Sequence, residues 1–344
     1  MRDPFRNFNV YKIDPLTEIR NAGIVTNGQV YWVSSVSDSD HRQRTDDMGN
    51  TYVKTSLQTA IDAVETDQND YVLVVPTDGG TARDLSEGVN VNEDRIHILG
   101  LGYKPAPMGY NGLTFRGFAT ASPSTVDTEL LNITGAGVEI GGLKFLGTSG
   151  TADTGTITRL MVIGTAASGT PHDLWMHDVH IENTQAAAAG GTPFTVQYVG
   201  DVATGITGNR FDRCWLGALA WAPASIIQMA GTAGPTRTEF NDCTFVIDAQ
   251  ATTDDFVVMG TGQTEYTMFE NCRFINVEAG TLPASVLTGA VLVNNPVLLR
   301  NNSYVNVTQA GTDTEVFKSP AYSGTAAAIT DVGIAIGSAA IIPA

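Results

Sequence analysis

Acidic side chains recur at equivalent places along the sequence and could carry acid–base chemistry. Asp178, Asp212, Asp242 and Glu270 each lie in one copy of a hexapeptide that repeats along the chain, and His177 adjoins the first of them. If the copies stack, neighbouring carboxylates would lie about 5 Å apart, as in a retaining glycosidase, and a gap of two copies approaches the inverting range. Tight corners also select Asp at such positions, and we favour that structural explanation.

The hexapeptide repeat indicates how these side chains are positioned. Successive copies start 30, 36, 35, 29, 29 and 30 residues apart. A nearly constant period of this length predicts stacked structural repeats. The copies begin at Tyr110, Ile140, Met176, Phe211, Phe240, Phe269 and Leu299.

Each hexapeptide is predicted to form a strand, a one-residue corner and a second strand. Its first, fourth and sixth positions are mostly apolar, and its fifth is mostly polar. Because side chains alternate between the faces of a strand, the first and fourth positions can both face inward only if the chain bends between them. The third position supplies residues that tolerate left-handed backbone angles. These residues are Gly112, Gly142, Asp178, Asp242, Asn271 and Asn301, with Arg213 as the exception.

A second set of apolar runs precedes the hexapeptides by about a dozen residues and predicts about three strands in each coil of the chain. From Tyr110 to Tyr304 this arrangement gives seven stacked coils. The runs are Leu130–Ile133, Leu160–Ile163, Phe194–Val199, Ile226–Met229, Phe256–Met259 and Val291–Val293.

The corner residues, the stacked Phe and Cys positions and the segment Arg95–Tyr103 resemble the right-handed parallel β-helix of the pectate-lyase-like superfamily. The resemblance covers residues 55 to 310 and implies an all-β solenoid. The superfamily includes lyases, hydrolases, phage tailspikes and non-enzymatic virion proteins, so the fold does not set the function. Segments Thr55–Asp62 and Tyr71–Pro76 look most like bacteriophage structural proteins.

Signatures of the enzymes in that superfamily are absent from the sequence. There is no Gly-His-Gly or Arg-x-Lys signature of polygalacturonase relatives, and no acidic calcium cluster with Arg and Lys partners like that of pectate lyases. Segment Gly100–Gly102 lacks the spacing of a dinucleotide-binding loop. We therefore expect no enzymatic activity, no catalytic residue, no metal and no cofactor.

The composition bears on the choice of partner. With 19 Lys and Arg against 36 Asp and Glu, the net charge is −17, which opposes binding to the phosphates of nucleic acid. Neither an 18-residue apolar run nor a secretory leader is present, so we expect no membrane contact and assembly in a host cytoplasm.

Cys214, Cys243 and Cys272 share the inward fourth position and are predicted to be buried thiols.

Three segments are distinguished along the chain. Residues 1–54 are predicted to form an N-terminal arm and a β-hairpin around Asn27-Gly28, used for attachment or oligomerisation. Residues 55–310 form the β-helix, opened by a capping helix with Thr55 and Gln58 in a capping box. Residues 311–344 form a C-terminal cap or a segment packed between subunits.

Two groups of aromatic residues are candidate contact sites. Phe5, Phe8 and Tyr11 lie among basic residues in the arm and are candidates for docking on a capsid, with a disordered terminus as the alternative. Trp175, Trp215 and Trp221 are predicted to face outward and are candidates for a subunit interface. Sugar stacking and packing under a loop are the alternatives for these tryptophans.

Together these features favour a non-enzymatic phage virion protein of the capsid-decoration or head-fibre type. It would be a homotrimer located on the capsid surface and bound to the major capsid protein or another virion protein. The alternative is a tailspike-like protein that binds or depolymerises a polysaccharide, with a host surface glycan as its partner.

Overall fold

The structure is a computed structural model that describes the repeating part of the chain and short stretches on either side. The docking candidates Phe5, Phe8 and Tyr11, and also Trp221, lie outside the described residues. The described residues are 28–34, 45, 51–75, 83–84, 88–101, 114–116, 129–147, 159–164, 171–183, 194–199, 206–218, 225–229, 237–249, 254–259, 267–277, 287–289, 297–306 and 334–336.

Strands dominate the described residues, with one helical turn, α1, at Leu57–Ile61. The strands are β1 (Val30–Val33), β2 (Val53–Lys54), β3 (Tyr71–Val74), β4 (Arg83–Asp84), β5 (Val89–Val91), β6 (His97–Gly100), β7 (Thr114–Arg116), β8 (Glu129–Ile133), β9 (Glu139–Gly141), β10 (Lys144–Gly147), β11 (Arg159–Ile163), β12 (Trp175–His177), β13 (His180–Asn183), β14 (Phe194–Tyr198), β15 (Arg210–Asp212), β16 (Trp215–Ala218), β17 (Ser225–Met229), β18 (Thr238–Asn241), β19 (Thr244–Ile247), β20 (Asp255–Met259), β21 (Thr267–Glu270), β22 (Arg273–Asn276), β23 (Leu287–Gly289), β24 (Val297–Arg300), β25 (Ser303–Val305) and β26 (Ile334–Ile336).

Three parallel sheets form the walls of a right-handed parallel β-helix, which confirms the predicted fold class. Sheet A has ten strands in the order β2-β1-β3-β6-β9-β12-β15-β18-β21-β24. Sheet B has nine, in the order β26-β25-β22-β19-β16-β13-β10-β7-β4, and sheet C has seven, in the order β23-β20-β17-β14-β11-β8-β5. From β3 onward in sheet A, between β4 and β25 in sheet B and throughout sheet C, every third strand of the chain pairs with the next, so one coil contributes one strand to each wall.

The predicted corners are confirmed by the backbone in the coils that the structure describes, whereas Gly112 lies outside the described residues. Between each of these sheet A strands and the sheet B strand that follows it, one residue has a left-handed conformation, which lets the first and fourth positions of the hexapeptide both face inward. Gly142 takes this conformation freely, whereas Arg213 takes it despite its Cβ. The corner φ values are 66° at Gly142, 54° at Asp178, 53° at Arg213, 54° at Asp242, 55° at Asn271 and 54° at Asn301.

Stacked aromatic rings fill the core where consecutive hexapeptides carry Phe. The rings of Phe211 and Phe240 lie 4.8 Å apart, as do those of Phe240 and Phe269. Phe245 and Phe274 stack at the same spacing on the facing wall. This spacing equals the separation of neighbouring strands, so each ring packs on the equivalent ring of the next coil.

The predicted cysteine column is also confirmed. Cys214, Cys243 and Cys272 are free and buried, and each thiol donates a hydrogen bond to a backbone carbonyl of the preceding coil. Burial raises the pKa values of the Cys214 and Cys243 thiols well above their ordinary value. These thiols therefore remain protonated inside the coil.

The capping helix begins one residue later than predicted. Ser56, rather than Thr55, is the N-cap, and its side chain accepts a hydrogen bond from the backbone N–H of Thr59. Thr59 replaces Gln58 in the reciprocal half of the capping box, which leaves Gln58 free to contact sheet C. The helix buries Leu57, Ala60 and Ile61 at the N-terminal end of the core, as predicted.

The ends of the described chain differ from expectation in two details. Strand β1 pairs in parallel with β2 and β3, while the first half of the predicted hairpin lies outside the described residues. The last described strand of sheet C is Leu287–Gly289, in which Leu287 aligns with Val257 of β20, while the predicted run Val291–Val293 lies outside the described residues. In the part of the chain that the structure describes, no helix is long and apolar enough to span a membrane.

Candidate functional site

Two columns of side chains project from the outer face of sheet A and bring together residues from distant parts of the sequence. In the first column Trp175 lies between Glu139 of the preceding coil and Arg210 of the following one. In the second column His177 lies between Gly141 and Asp212. Every coil places these two positions on the same face of sheet A. Tyr71 and Leu73 are buried there in a small apolar cluster, and the positions of the later coils continue from it. The first column comprises Tyr71, His97, Glu139, Trp175 and Arg210, and the second Leu73, Leu99, Gly141, His177 and Asp212.

A chain of ionisable groups crosses this surface from coil to coil. The Glu139 carboxylate lies between two imidazoles, with Oε2 2.5 Å from His97 Nδ1 and Oε1 3.0 Å from His177 Nε2. The other nitrogen of His177, Nδ1, lies 3.0 Å from the carboxylate of Asp178. Both nitrogens of His177 thus face carboxylates, whereas His97 has one nitrogen in the chain and stacks on the ring of Tyr71 at 4.3 Å.

The chain ends at an arginine in a strained backbone position. Arg213 donates from Nε and Nη2 to the two oxygens of Asp178, at 2.8 and 2.7 Å. Its φ of 53° is costly for a residue with a long side chain. The paired geometry, in which two N–H groups meet one carboxylate, is the strong form of an Arg–carboxylate contact. The Arg213 side chain stays 54% exposed, so part of the guanidinium faces solvent.

The pairing shifts the protonation of the central groups. Burial alone would raise the pKa of Glu139, but hydrogen bonds from His177 and His97 prevail and lower it to about 2. The hydrogen bond to Glu139 raises the pKa of His177, against burial and with help from Asp178. The pKa of Asp178 is lowered, because Arg213 and His177 outweigh its burial. His177 is therefore held as an imidazolium between two carboxylates.

A second network fixes Trp175. Its indole Nε1 donates to Oδ2 of Asp212 at 2.9 Å, and the same carboxylate accepts hydrogen bonds from Arg210 and Asn241. Burial opposes ionisation of Asp212, but the hydrogen bonds from Arg210, Asn241 and Trp175 lower its pKa. The edge of the indole is thus anchored by a charged acceptor, while part of the ring stays exposed to solvent.

The indole of Trp175 packs against His177 and remains open to solvent. The two ring centroids lie 4.5 Å apart at an angle of 36°. Trp175 is 42% exposed. Among the described residues, the exposed large hydrophobic side chains are Trp175 and Val277. Glycine at 141 makes this arrangement possible, because a Cβ there would lie 2.4 Å from the His177 ring. The surface therefore presents a flat aromatic platform between charged groups.

The acids predicted from the hexapeptide are distributed differently from expectation. Asp178 and Asp242 occupy corners as predicted, but Asp212 and Glu270 lie at strand ends, because the corner follows one residue later. Asp212 is 5% exposed, and Glu270 lies near Arg300 at 3.4 Å. The structure brings Asp178, Asp212 and His177 into one surface through Trp175 and Arg213, a grouping that sequence reasoning did not identify.

Trp215 does not share a face with Trp175. It projects from sheet B, where its ring stacks on His180 at 4.2 Å, and it covers Gly217. His180 in turn contacts Glu182, which lies 3.5 Å from Lys144. The two tryptophans therefore belong to separate walls of the β-helix, and their use in a single flat interface remains a prediction that the geometry does not favour.

Sequence reasoning identified Trp175 as an outward residue but missed its neighbours in the column that precedes the hexapeptide. Glu139 and Arg210 also stand one residue before a copy, so extending the alignment by one position would have revealed them. His97 has the same relation to the core residue Ile98 in β6. No group of three or more His, Cys, Asp or Glu among the described residues is arranged to hold a metal ion.

Comparison with known proteins bears on the fold alone. No protein family matches the sequence, and no curated protein does. Similar solved structures include a pectin methylesterase in complex with a hexasaccharide, 13% identical over 80% of this chain and 79% of that one, with a TM-score of 0.47. Pectin methylesterase PemA from Erwinia chrysanthemi is 14% identical over 82% and 80% of the two chains, with a TM-score of 0.46. ORF18 of Geobacillus virus E2 is 11% identical over 73% and 49%, with a TM-score of 0.37.

These similarities correct the prediction that the chain is not an enzyme. That prediction was wrong because it treated missing lyase and polygalacturonase signatures as evidence against catalysis, whereas pectin methylesterases have the same fold. Identities of 10 to 14% show the fold and do not transfer an activity. The class that the three parallel sheets of the structure define is a right-handed parallel β-helix.

Proposed function

We propose that the protein binds a polysaccharide along the outer face of sheet A and hydrolyses a bond in it, in the manner of a tailspike-like β-helix. The observation that carries the proposal is the exposed indole of Trp175, anchored at its edge by Asp212 and backed by His177. A sugar ring has one apolar face that packs on an aromatic ring, and its hydroxyl groups need polar partners around that ring.

The surroundings of Trp175 meet the second requirement. Arg210 and Arg213 have side chains that are 55% and 54% exposed and are oriented by Asp212 and Asp178. Charged donors that are already fixed lose little side-chain entropy when a ligand arrives. Equivalent positions repeat at each coil along the axis, about 4.8 Å apart. A polymer lying along the axis would therefore meet a side chain of the same two columns at each coil, with Trp175 as the aromatic contact and Arg210 and Arg213 as the charged donors.

Hydrolysis would use the pair formed by Glu139 and His97. The Glu139 carboxylate accepts from Nδ1 of His97, which fixes the ring and directs Nε2 to act as an acceptor. Such an imidazole can take a proton from water as the oxygen adds to an ester carbon of the polymer. When the bond from that carbon to the alcohol oxygen breaks, the imidazolium returns the proton to the leaving alkoxide, so that an acid and an alcohol are released. The described carboxylates at the site have lowered pKa values, which does not fit the protonated carboxylic acid that a two-carboxylate glycosidase needs.

Binding is tested by affinity electrophoresis of the protein in gels containing single purified bacterial polysaccharides. Retardation by one of them should be lost in Trp175→Ala and kept in Val277→Ala, which removes the other exposed large hydrophobic side chain. Retardation of Trp175→Ala equal to that of the unaltered protein would overturn the proposal.

Catalysis is tested on the polysaccharide that binds. New reducing ends and released acid are measured for the unaltered protein, for His97→Gln and for His172→Gln, a control histidine outside the chain of ionisable groups. His97→Gln should keep binding and lose activity by about a hundredfold or more. Equal product formation by His97→Gln would remove His97 from the mechanism.

A further inference from the structure

A polar pocket lies at the N-terminal end of the β-helix, away from the outer face of sheet A. It is enclosed by helix α1 and by the first two strands of sheet C, β5 and β8. Its volume is about 310 Å³, at the small end of the range for sites that hold small molecules. The lining residues are Gln58, Asp62, Gly88, Val89, Asn90, Glu129 and Asn132.

The walls of this pocket are fixed by hydrogen bonds. Gln58 bonds to the backbone of Asn90 twice, accepting from its N–H at 2.7 Å and donating to its carbonyl at 3.2 Å. The same side-chain nitrogen donates to Asp62 Oδ1 at 2.7 Å. Gln58 thus attaches helix α1 to the edge of sheet C through the same pair of backbone hydrogen bonds that a residue of a neighbouring strand would make. A ligand would enter a site that is already formed, which lowers the entropy cost of binding.

One acceptor in the pocket lacks a donor. Asn132 donates from Nδ2 to Oδ1 of Asn90 at 3.3 Å, but its own Oδ1 is buried and has no hydrogen-bond partner. A buried acceptor without a donor costs about 1 to 3 kcal/mol, so the site favours a ligand that donates a hydrogen bond at this point. Asp62, whose Oδ1 accepts from Gln58, is exposed and places a carboxylate acceptor at the mouth of the pocket.

The charge of the pocket narrows the class of ligand. Glu129 is paired with Arg159, and Asp62 contributes the remaining negative charge, which disfavours anions. A hard cation would need six to eight oxygen ligands converging at about 2.3 to 2.6 Å, and two carboxylates around a space this large do not provide them. Hydroxyl groups suit the site better, because they donate to carboxylate and amide oxygens and accept from the asparagine N–H groups.

We propose that this pocket binds a neutral, hydroxyl-rich ligand of the size of a single sugar residue, with Asn132 and Asp62 as the acceptors of its hydroxyl protons. The pocket is separate from Trp175 and does not depend on the function proposed for sheet A. Gln58 and Asn90 shape the pocket, and Asn132 Oδ1 is an acceptor that no described residue satisfies.

The test uses saturation-transfer NMR on the full chain with D-glucose, D-galactose and N-acetyl-D-glucosamine as separate probes. At least one sugar should receive saturation from the unaltered protein, and Asn132→Leu and Asp62→Ala should each weaken its binding about tenfold. Asn92→Leu, a neighbouring exposed asparagine outside the pocket, and Trp175→Ala should bind it as the unaltered protein does.

Three results would overturn the proposal. The first is the absence of saturation transfer to all three sugars, the second is unchanged binding in Asn132→Leu, and the third is calcium binding by calorimetry that Asp62→Ala abolishes. Thermal unfolding of each variant separates a lost site from a lost fold. If Trp175→Ala loses binding while Asn132→Leu and Asp62→Ala keep it, the sugar binds on sheet A, and this result would also contradict the proposed binding site in the pocket.

Discussion

The indole Nε1 of Trp175 donates a 2.9 Å hydrogen bond to Oδ2 of Asp212, which belongs to the next coil. This contact makes Asp212 a positioning residue for the aromatic platform. We predict that Asp212→Ala weakens polysaccharide binding by about tenfold through a less ordered indole, whereas Asp212→Asn keeps most of the affinity because an amide oxygen also accepts. Affinity electrophoresis measures both. Equal losses in the two variants would indicate that the negative charge, and not the hydrogen bond, matters.

The chain of ionisable groups predicts a defined pH range of greatest stability. The pKa of Glu139 is lowered from 4.5 to about 2, so its contribution is complete above pH 4.5 and is lost as the pH falls toward 2. The pKa of His177 is raised above 6.5, so its contribution is complete below pH 6.5 and is lost as the pH rises through the raised value. Both contributions are complete only between these limits.

Glu139→Gln should flatten both limbs of this dependence, because it removes the carboxylate and the main cause of the raised His177 pKa. Thermal unfolding of the two proteins across the acid and alkaline limbs provides the measurement. Glu93→Gln, at an exposed turn, serves as the matched control. Identical profiles for Glu139→Gln and the unaltered protein would contradict the assigned network.

Arg213 combines a strained corner with an ion pair, and two substitutions separate these effects. Arg213→Asn should change the free energy of unfolding by less than about 1 kcal/mol, because Asn tolerates the corner while the exposed ion pair contributes little. Arg213→Val should cost about 2 kcal/mol, since a β-branched residue is strained at a φ of 53°. Urea unfolding tests both, and Arg273→Val on an exposed strand position should be tolerated.

The phenylalanine stack predicts a large effect at its centre. Phe240 is fully buried between Phe211 and Phe269, and Phe240→Ala should lower the free energy of unfolding by about 3 to 5 kcal/mol. Val277→Ala, at an exposed position, should change it by less than about 0.5 kcal/mol. A loss below about 1 kcal/mol in Phe240→Ala would mean that the coil repacks around the gap.

The cysteine column predicts slow chemistry in the folded protein. Cys214 and Cys243 are buried and their pKa values are raised, so their reactive thiolates are scarce. A thiol reagent should modify none of the three cysteines in the native state and all of them in denaturant. Rapid labelling of the native protein would place at least one of them outside the core.

The fold could be predicted because its determinants are local and repeated. Alternation along a strand predicted the inward positions, and tolerance of left-handed angles predicted the corners, whereas the corner at Arg213 was located only by its alignment with the other copies. The N-cap shifted from Thr55 to Ser56 because both residues can cap a helix and only the packing of Leu57 selects between them.

The candidate site could be predicted only in part, because its contacts depend on register between coils. Glu139 is 42 residues from His97 and 38 from His177 in the sequence. Because the coils vary in length, the sequence alone does not show which outward-facing residues become neighbours in the fold. Asp178 and His177 were identified as candidate residues, but their partners Glu139 and Arg213 were not, since neither stands at an acidic position of the hexapeptide.

From β3 onward, each strand of sheet A pairs only with the coil before it and the coil after it. We expect such a chain to unfold coil by coil from its ends, because the loss of one coil removes contacts only from its two neighbours. Amide hydrogen exchange should therefore be slowest around the continuous ring stack from Phe211 to Phe274. A polymer bound across several coils would contact all of them at once. Those coils, which otherwise unfold one after another, would then unfold together in a single cooperative step.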